Sequence, residues 1–275
     1  MEQSRKEPVY PPPQAIHHEL RNAENSAGHV MAKLHSMREI NPHLAILDVG
    51  AGSGTISVTL AKAITDGHVT AIDLNPEILP RARAIAEISG INNIEFQQGD
   101  AYKLPFADET FDITYCHQML THLKAPQDAL REMLRVTKPR GIVAAREGDL
   151  ETECVWPELP GVLKFHKFAA DMMSAAGGTP IGGRQLLPWA LKAGVKRDQI
   201  TVSYGTWSFS TPREKETWAQ AMAERVRGGR LREGGLKSGL TTENDLEEMA
   251  TDWEKWAQRD DASLAMMQGE VLIQK

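Results

Sequence analysis

Three glycines, Gly50, Gly52 and Gly54, alternate through a short loop between an apolar run and a helix-like segment. Residues 45–49 read as a buried parallel strand, with Asp48 just before the loop. Residues 55–65 read as the helix that follows. Glycine lets a backbone turn sharply and lets a ligand approach it closely. The helix N-terminus adds N–H groups that have no partner inside the helix. Strand, glycine loop and helix together make a nucleotide-binding unit of the Rossmann type. A dinucleotide fingerprint, G-x-G-x-x-G, needs glycine or alanine where this chain has Thr55. The spacing here is G-x-G-x-G.

Such a loop works only if a sheet and its helices hold it, and the rest of the chain supplies them. Further strands are expected at 68–73, 93–97, 111–116, 142–147 and 200–209, with a final one at 264–274. Helices are expected at 14–40, 76–89, 125–137, 162–176, 185–193, 212–227 and 243–258. Asn41-Pro42 ends the first of these, and Gly90 caps the second. Strands alternating with helices imply a parallel sheet. The prediction is an α/β, Rossmann-like, doubly wound, mostly parallel seven-stranded sheet with an antiparallel C-terminal strand and a helical lid. Residues 1–44 form an N-terminal lid segment and 45–150 the core. Residues 151–184 are a lid insertion, and 185–275 complete the core with lid helices between 210 and 262. The stretch 228–239 is rich in glycine and arginine, shows no apolar period, and is expected to be mobile without ligand.

The chain has 275 residues, 41% hydrophobic and 25% charged, with a net charge of −6. That balance argues against nucleic acid as a partner, because phosphate binding needs basic patches. No apolar run approaches the roughly 20 residues of a membrane span. Residues 1–13 are polar and proline-rich and do not read as a signal peptide. Cys116 and Cys154 are the only cysteines, which suits a reducing, cytoplasmic setting. No His, Asp or Glu spacing matches a metal motif, so no metal is expected.

The order of motifs resembles class I S-adenosyl-L-methionine (SAM) methyltransferases, and more narrowly their UbiE/COQ5-like branch. Residues 46–55 resemble motif I, and 69–74 resemble motif II. Gln98-Gly99-Asp100-Ala101, then Leu104-Pro105-Phe106 and Phe111-Asp112, resemble the G-D-A…L-P-F…F-D block. Residues 117–123 resemble the segment after strand 4. Residues 130–141 resemble L-R-E-x-x-R-V-x-K-P-G-G, with Arg140 in place of the first glycine. Residues 21–27 are similar to the N-terminal segment of fungal members, many of which modify secondary metabolites.

The resemblance implies SAM as cofactor and a role for each matching residue. Gly50, Gly52 and Gly54 let the cofactor pass against the backbone, and Asp48 orders the loop or reaches the SAM ammonium through water. Asp73 accepts hydrogen bonds from the ribose hydroxyls, and Leu74 follows it. Asp100 accepts from the adenine amine, helped by the Ala101 N–H. His117 and Gln118 end strand 4, and one of them lines the cofactor tail. His117 is either a general base, with an ordinary pKa near 6.5, or a packing residue of the wall. Arg21 either meets the SAM carboxylate bidentately or is a plain surface arginine. Arg146, Glu147 and Asp149 end strand 5, where Glu147 is the candidate substrate contact and a surface charge cluster is the alternative.

The expected reaction is methyl transfer to a small organic acceptor, a secondary metabolite or quinone-like compound. The sulfonium already activates the methyl group, so no nucleophile–base triad is needed. Two other readings stand beside it. One is a protein that uses SAM without methyl transfer. The other is an NAD-linked oxidoreductase, which the loop spacing and the lack of a Tyr-x-x-x-Lys pair disfavour.

Overall fold

A computed structural model describes residues 17–275. The chain divides into two compact units: residues up to Cys116 with 132–143 and Lys275, and residues 117–131 with 144–274.

The first unit holds α1 (Ala23–Ser26), α2 (Gly28–Ile40), β1 (Ala45–Val49), α3 (Thr55–Ala63), β2 (His68–Asp73), α4 (Leu79–Ile88) and β3 (Ile94–Gln98). It also holds β4 (Phe111–His117) up to Cys116, the end of α5 (Pro126–Val136) and the start of β5 (Thr137–Gly148). β1 lies between β2 and β4, and β3 flanks β2, all parallel. β1 and β2 are apolar and buried through their centres, as strands covered on both faces must be. Val58 of α3 and Leu79, Ala82 and Ala86 of α4 close one face over Ala71 and Phe96.

The single helix expected over 14–40 is two helices, and residues 14–16 lie outside the described residues. Asn22 starts α1 with a reciprocal capping box to Asn25, and Ala27 leaves helical geometry at φ −124°. The Tyr115 hydroxyl then donates to the Ser26 carbonyl at 2.6 Å, fixing the break. β5 begins five residues before the expected position. The Arg140 N–H donates to the Lys275 carbonyl and the Lys275 N–H to the Gly141 carbonyl, each at 3.0 Å, so the expected turn is a paired strand. Arg140 has φ 66°, a left-handed conformation that glycine adopts more readily. This is the position where the sequence departs from the glycine of the resembling motif.

The second unit holds the end of β5, β6 (Cys154–Trp156), α6 (Pro160–Ala175), α7 (Gly182–Lys192), β7 (Ile200–Phe209), α8 (Pro212–Arg227), α9 (Arg230–Ser238), α10 (Glu243–Ala257) and β8 (Ser263–Gln274). β7 runs antiparallel to β8 along its whole length, Ile200 opposite Ile273 and Phe209 opposite Leu264. The strand order is β3-β2-β1-β4-β5-β8-β6, with β7 also on β8. The sheet is therefore the expected mostly parallel one with an antiparallel C-terminal strand, but it has eight strands where the sequence predicts seven. The added strand is β6, three residues of the 151–184 segment whose partners, Ser263–Ala265, lie far along the chain.

Two helices overturn local expectations. Residues 230–238 form α9, although glycine breaks helices elsewhere. Leu231 and Leu236 pack against the apolar cluster of Phe168, Trp218, Met222 and Trp253. Gly235 is required because a Cβ there would collide with the Phe168 ring. α7 starts at Gly182, earlier than expected, because Gly182 and Gly183 let the helix approach Thr121 and Gly269.

Candidate functional site

In the first unit the candidate residues gather at the carboxyl ends of β1, β2 and β3. The Gly50 and Ala51 N–H groups both donate to the Ile72 carbonyl at 2.9 Å, which ties the glycine loop to β2. Gly50, Gly52 and Gly54 have φ 78°, 55° and 78°, so the loop needs all three as glycine. A Cβ on Gly54 would lie 2.7 Å from the Phe96 ring, whereas one on Gly52 would meet nothing within 4 Å. Gly52 thus faces open space that a cofactor can occupy.

Asp73 ends β2 and is half-buried. Its Oδ2 accepts from the Gly52 N–H and its Oδ1 from the Asn75 N–H, each at 2.9 Å. The carboxylate therefore joins the loop to the turn after β2 and keeps further lone pairs for a ligand. Gln98 of β3 is the register partner of Asp73. Asp100 follows two residues later, with Oδ1 accepting from the Tyr102 N–H at 2.9 Å. Ala101 is half-buried beside it, and Leu74 is exposed. Arg21 is half-buried, and its N–H donates to the His18 carbonyl at 3.2 Å. Its segment is held down where the Ala23 N–H donates to Thr59 Oγ1 at 2.7 Å and Arg81 pairs with Glu19 at 2.5 Å.

Asp48 is 3% exposed, and the Ser57 hydroxyl donates to it at 2.6 Å. Burial pushes its carboxyl up to about 7; the Ser57 bond opposes this and the Asp73 charge adds to it. Between the ordinary carboxylate range and about 7 the folded chain holds a proton that the unfolded chain has lost. Asp48's contribution to stability is thus fully present below pH 3.8 and is lost as pH rises to about 7. Urea melts of the cofactor-free protein are expected to show the native sequence losing stability relative to Asp48→Asn over that window. Parallel pH profiles of the two proteins would refute the assignment.

In the second unit Arg146 and Glu147 are buried rather than a surface cluster, and Asp149 is 0% exposed. Asp149 accepts two hydrogen bonds from Arg184, at 2.5 and 2.7 Å. Glu147 Oε1 accepts from the Met119 and Leu120 N–H groups at 3.0 and 2.8 Å, clamping the turn after β4. Glu147→Ala would strand those donors in the interior, at a cost of about 2–4 kcal/mol. Glu147→Gln keeps an acceptor oxygen and should lose less. Denaturant midpoints check both, and equal losses would show that the hydrogen bonds do not matter.

His117 is buried with its ring 5.7 Å from that of Trp207. Gln118 has φ 49°, a strained conformation of the kind found at functional sites. Its N–H donates to the Arg146 carbonyl at 2.8 Å and its Nε2 to Gln268 Oε1 at 3.1 Å. Arg146 lies 3.6 Å from Glu270, which also accepts from the Ser203 hydroxyl at 2.8 Å. Gly205 leaves room for this pair, since a Cβ there would lie 2.8 Å from Glu270 Oε1. Sequence reasoning missed Ser203, Gln268 and Glu270. The available signal was a buried-strand pattern carrying two polar residues around Gly269. His166 lies 3.2 Å from Glu153 and away from this group's hydrogen bonds. Among the described residues no three His, Cys, Asp or Glu side chains could hold a metal, and no helix is long and apolar enough to cross a membrane.

Residues 40–189 match the model of a methyltransferase domain family. An uncharacterised methyltransferase of Schizosaccharomyces pombe is 34% identical over 242 residues, covering 84% of each chain. A probable methyltransferase of Aspergillus luteorubrus is 30% identical over 253 residues, covering 84% of this chain and 85% of its own. Among solved structures, a putative methyltransferase from Bacillus halodurans shares the fold at a TM-score of 0.53 and 21% identity, over 89% of this chain and 98% of its own. With a loop, a strand-end carboxylate and open space that suit SAM, the chain belongs to the methyltransferase domain family and is a SAM-dependent methyltransferase.

Proposed function

We propose that the chain methylates a small organic acceptor, a secondary metabolite or quinone-like compound, as a member of the UbiE/COQ5-like branch. The observation that supports the acceptor reading is the buried polar face of the second unit. There His117 lies beside Trp207, which packs against the aromatic cluster of α6, α8 and α10, and Gln118 with Gln268 and Arg146 with Glu270 form polar pairs. Such a mixture of oriented polar groups and apolar wall suits a compact, partly oxygenated ligand.

The positions of the site residues support a role for each. Asp73 holds the ribose diol while keeping the loop closed through Gly52. Asp100 and the Ala101 N–H hold the adenine edge. Leu74 supplies an apolar surface, and Gly50, Gly52 and Gly54 let the cofactor lie on the backbone. Asp48 orders the loop from below. SAM, when bound, supplies a methyl group on a positively charged sulfur. The chain's own task is to align the acceptor and exclude water. His117 lines the acceptor face, and Glu147, whose oxygen grips the turn after β4, is a positioning residue.

Purified protein incubated with SAM and a panel of phenols, hydroxyquinones and amines should release S-adenosylhomocysteine and yield an acceptor carrying one added methyl group. SAM binding without S-adenosylhomocysteine from any acceptor would favour a non-methylating use of the cofactor. Tight NADH binding without SAM binding would remove the reading altogether.

A further inference from the structure

Two carboxyl groups flank the glycine loop, and among the described residues neither is paired with a cation. Asp73 accepts from the Gly52 and Asn75 N–H groups, and Asp48 accepts from the Ser57 hydroxyl. Asp48 is almost fully buried on β1, with Ala71 of β2 and Tyr115 of β4 as its register partners. The Tyr115 hydroxyl donates to the Ser26 carbonyl, and the His29 ring of α2 lies 6.1 Å from the Tyr115 ring. The groups set against Asp48 are thus a hydroxyl from α3, a phenol from β4 and, at the end of β2, a second carboxylate whose charge opposes its own. A buried carboxyl in such a setting is poorly stabilised as an anion. It gains much from a cation brought to the loop above it, because charges interact strongly where water is excluded. Near neutral pH Asp48 is divided between its two forms, since burial pushes it up to about 7.

SAM carries one positive charge more than S-adenosylhomocysteine, on the sulfur, and methyl transfer removes that charge. We propose that Asp48 is the residue by which this protein tells cofactor from product: SAM binding expels the Asp48 proton to solvent, and S-adenosylhomocysteine binding leaves it largely in place. The inference rests on SAM as the cofactor and on no particular acceptor. A ligand cation favours ionised Asp48, so in the SAM complex the carboxyl gives up its proton at lower pH than in the free protein. Between those two points binding releases a proton. SAM affinity therefore rises with pH and levels off above about 7, where the free protein has already lost the proton. The slope is at most about tenfold per pH unit. Affinity for S-adenosylhomocysteine changes less, so the preference for SAM over its product widens across the same window.

Calorimetric titrations of the full chain, in buffers of different ionisation enthalpy, count the protons. At about pH 6.5 SAM should release a substantial fraction of one proton per chain, and S-adenosylhomocysteine much less. Asp48→Asn keeps the shape and an oxygen for Ser57 but has no proton to lose, so the extra release with SAM should vanish. Ser57→Ala removes the bond that favours the ionised form and should move the rise in SAM affinity to higher pH. Circular dichroism confirms the fold of each variant, and the native protein and Ser57→Ala still decide the matter if Asp48→Asn does not fold. Native protein that binds SAM without net proton release, or that releases as much with S-adenosylhomocysteine, overturns the proposal. So does folded Asp48→Asn that releases as many protons as the native chain. A native chain that binds no SAM at all would remove the cofactor reading, and this proposal with it.

Discussion

Asp73→Ala is expected to weaken SAM binding by roughly 10- to 150-fold, the effect of losing a charged acceptor that contributes about 1.5–3 kcal/mol. Two losses add in this variant. The proposed ribose contacts go, and so do the bonds from Gly52 and Asn75 that hold the loop against the turn after β2. Asp73→Asn separates the two. Its amide retains one acceptor oxygen for the backbone but cannot accept at both positions, so it should lie between alanine and the native residue. Calorimetry gives the affinities and circular dichroism confirms the fold. An unchanged dissociation constant in folded Asp73→Ala would remove the ribose assignment.

The second large effect is structural. Gly269→Ala is expected to cost at least about 4 kcal/mol, at the upper end of what single substitutions do. A Cβ at Gly269 would overlap the Gly183 carbonyl oxygen and lie 2.7 Å from the Gly183 Cα. Both neighbours are backbone, so no rotamer relieves the collision. Either α7 lifts from β8 or the ladder between β7 and β8 bends. Soluble yield and the urea midpoint report the loss. A variant as stable as the native protein would mean that α7 sits further from β8 than described.

Sequence reasoning found the parts of this molecule that local chemistry dictates. The apolar run, three glycines and following helix specify β1, the loop and α3, because glycine alone tolerates the loop's left-handed backbone. β2, β7 and α8 fall at the expected residues, since alternation and helix caps are also local. What escaped reading depends on partners far along the chain. β6 is too short to recognise without its partners around Ala265. α9 violates the rule against glycine in helices because the Phe168 ring needs that space. Glu147 and Asp149 read as ligand-facing charges, yet the backbone of Met119 and Leu120 and the guanidinium of Arg184 already engage them. Their burial could not be read from strand 5 alone.

The pairing of β8 has a consequence for how the chain folds. In the first unit β1 meets β2 through Ala45 and His68, across one short helix. In the second, Cys154 meets Ala265 and Phe209 meets Leu264, so three helices must be spanned before β7 and β8 can zip. Closing long loops costs entropy before any contact repays it, and sheets built from distant segments form slowly. The glycine loop and its strands should therefore gain protection early in refolding, with β6, β7 and β8 following in a slower phase. In pulse-labelled hydrogen exchange, amides of β1 and β2 would be shielded while those of β8 still exchange.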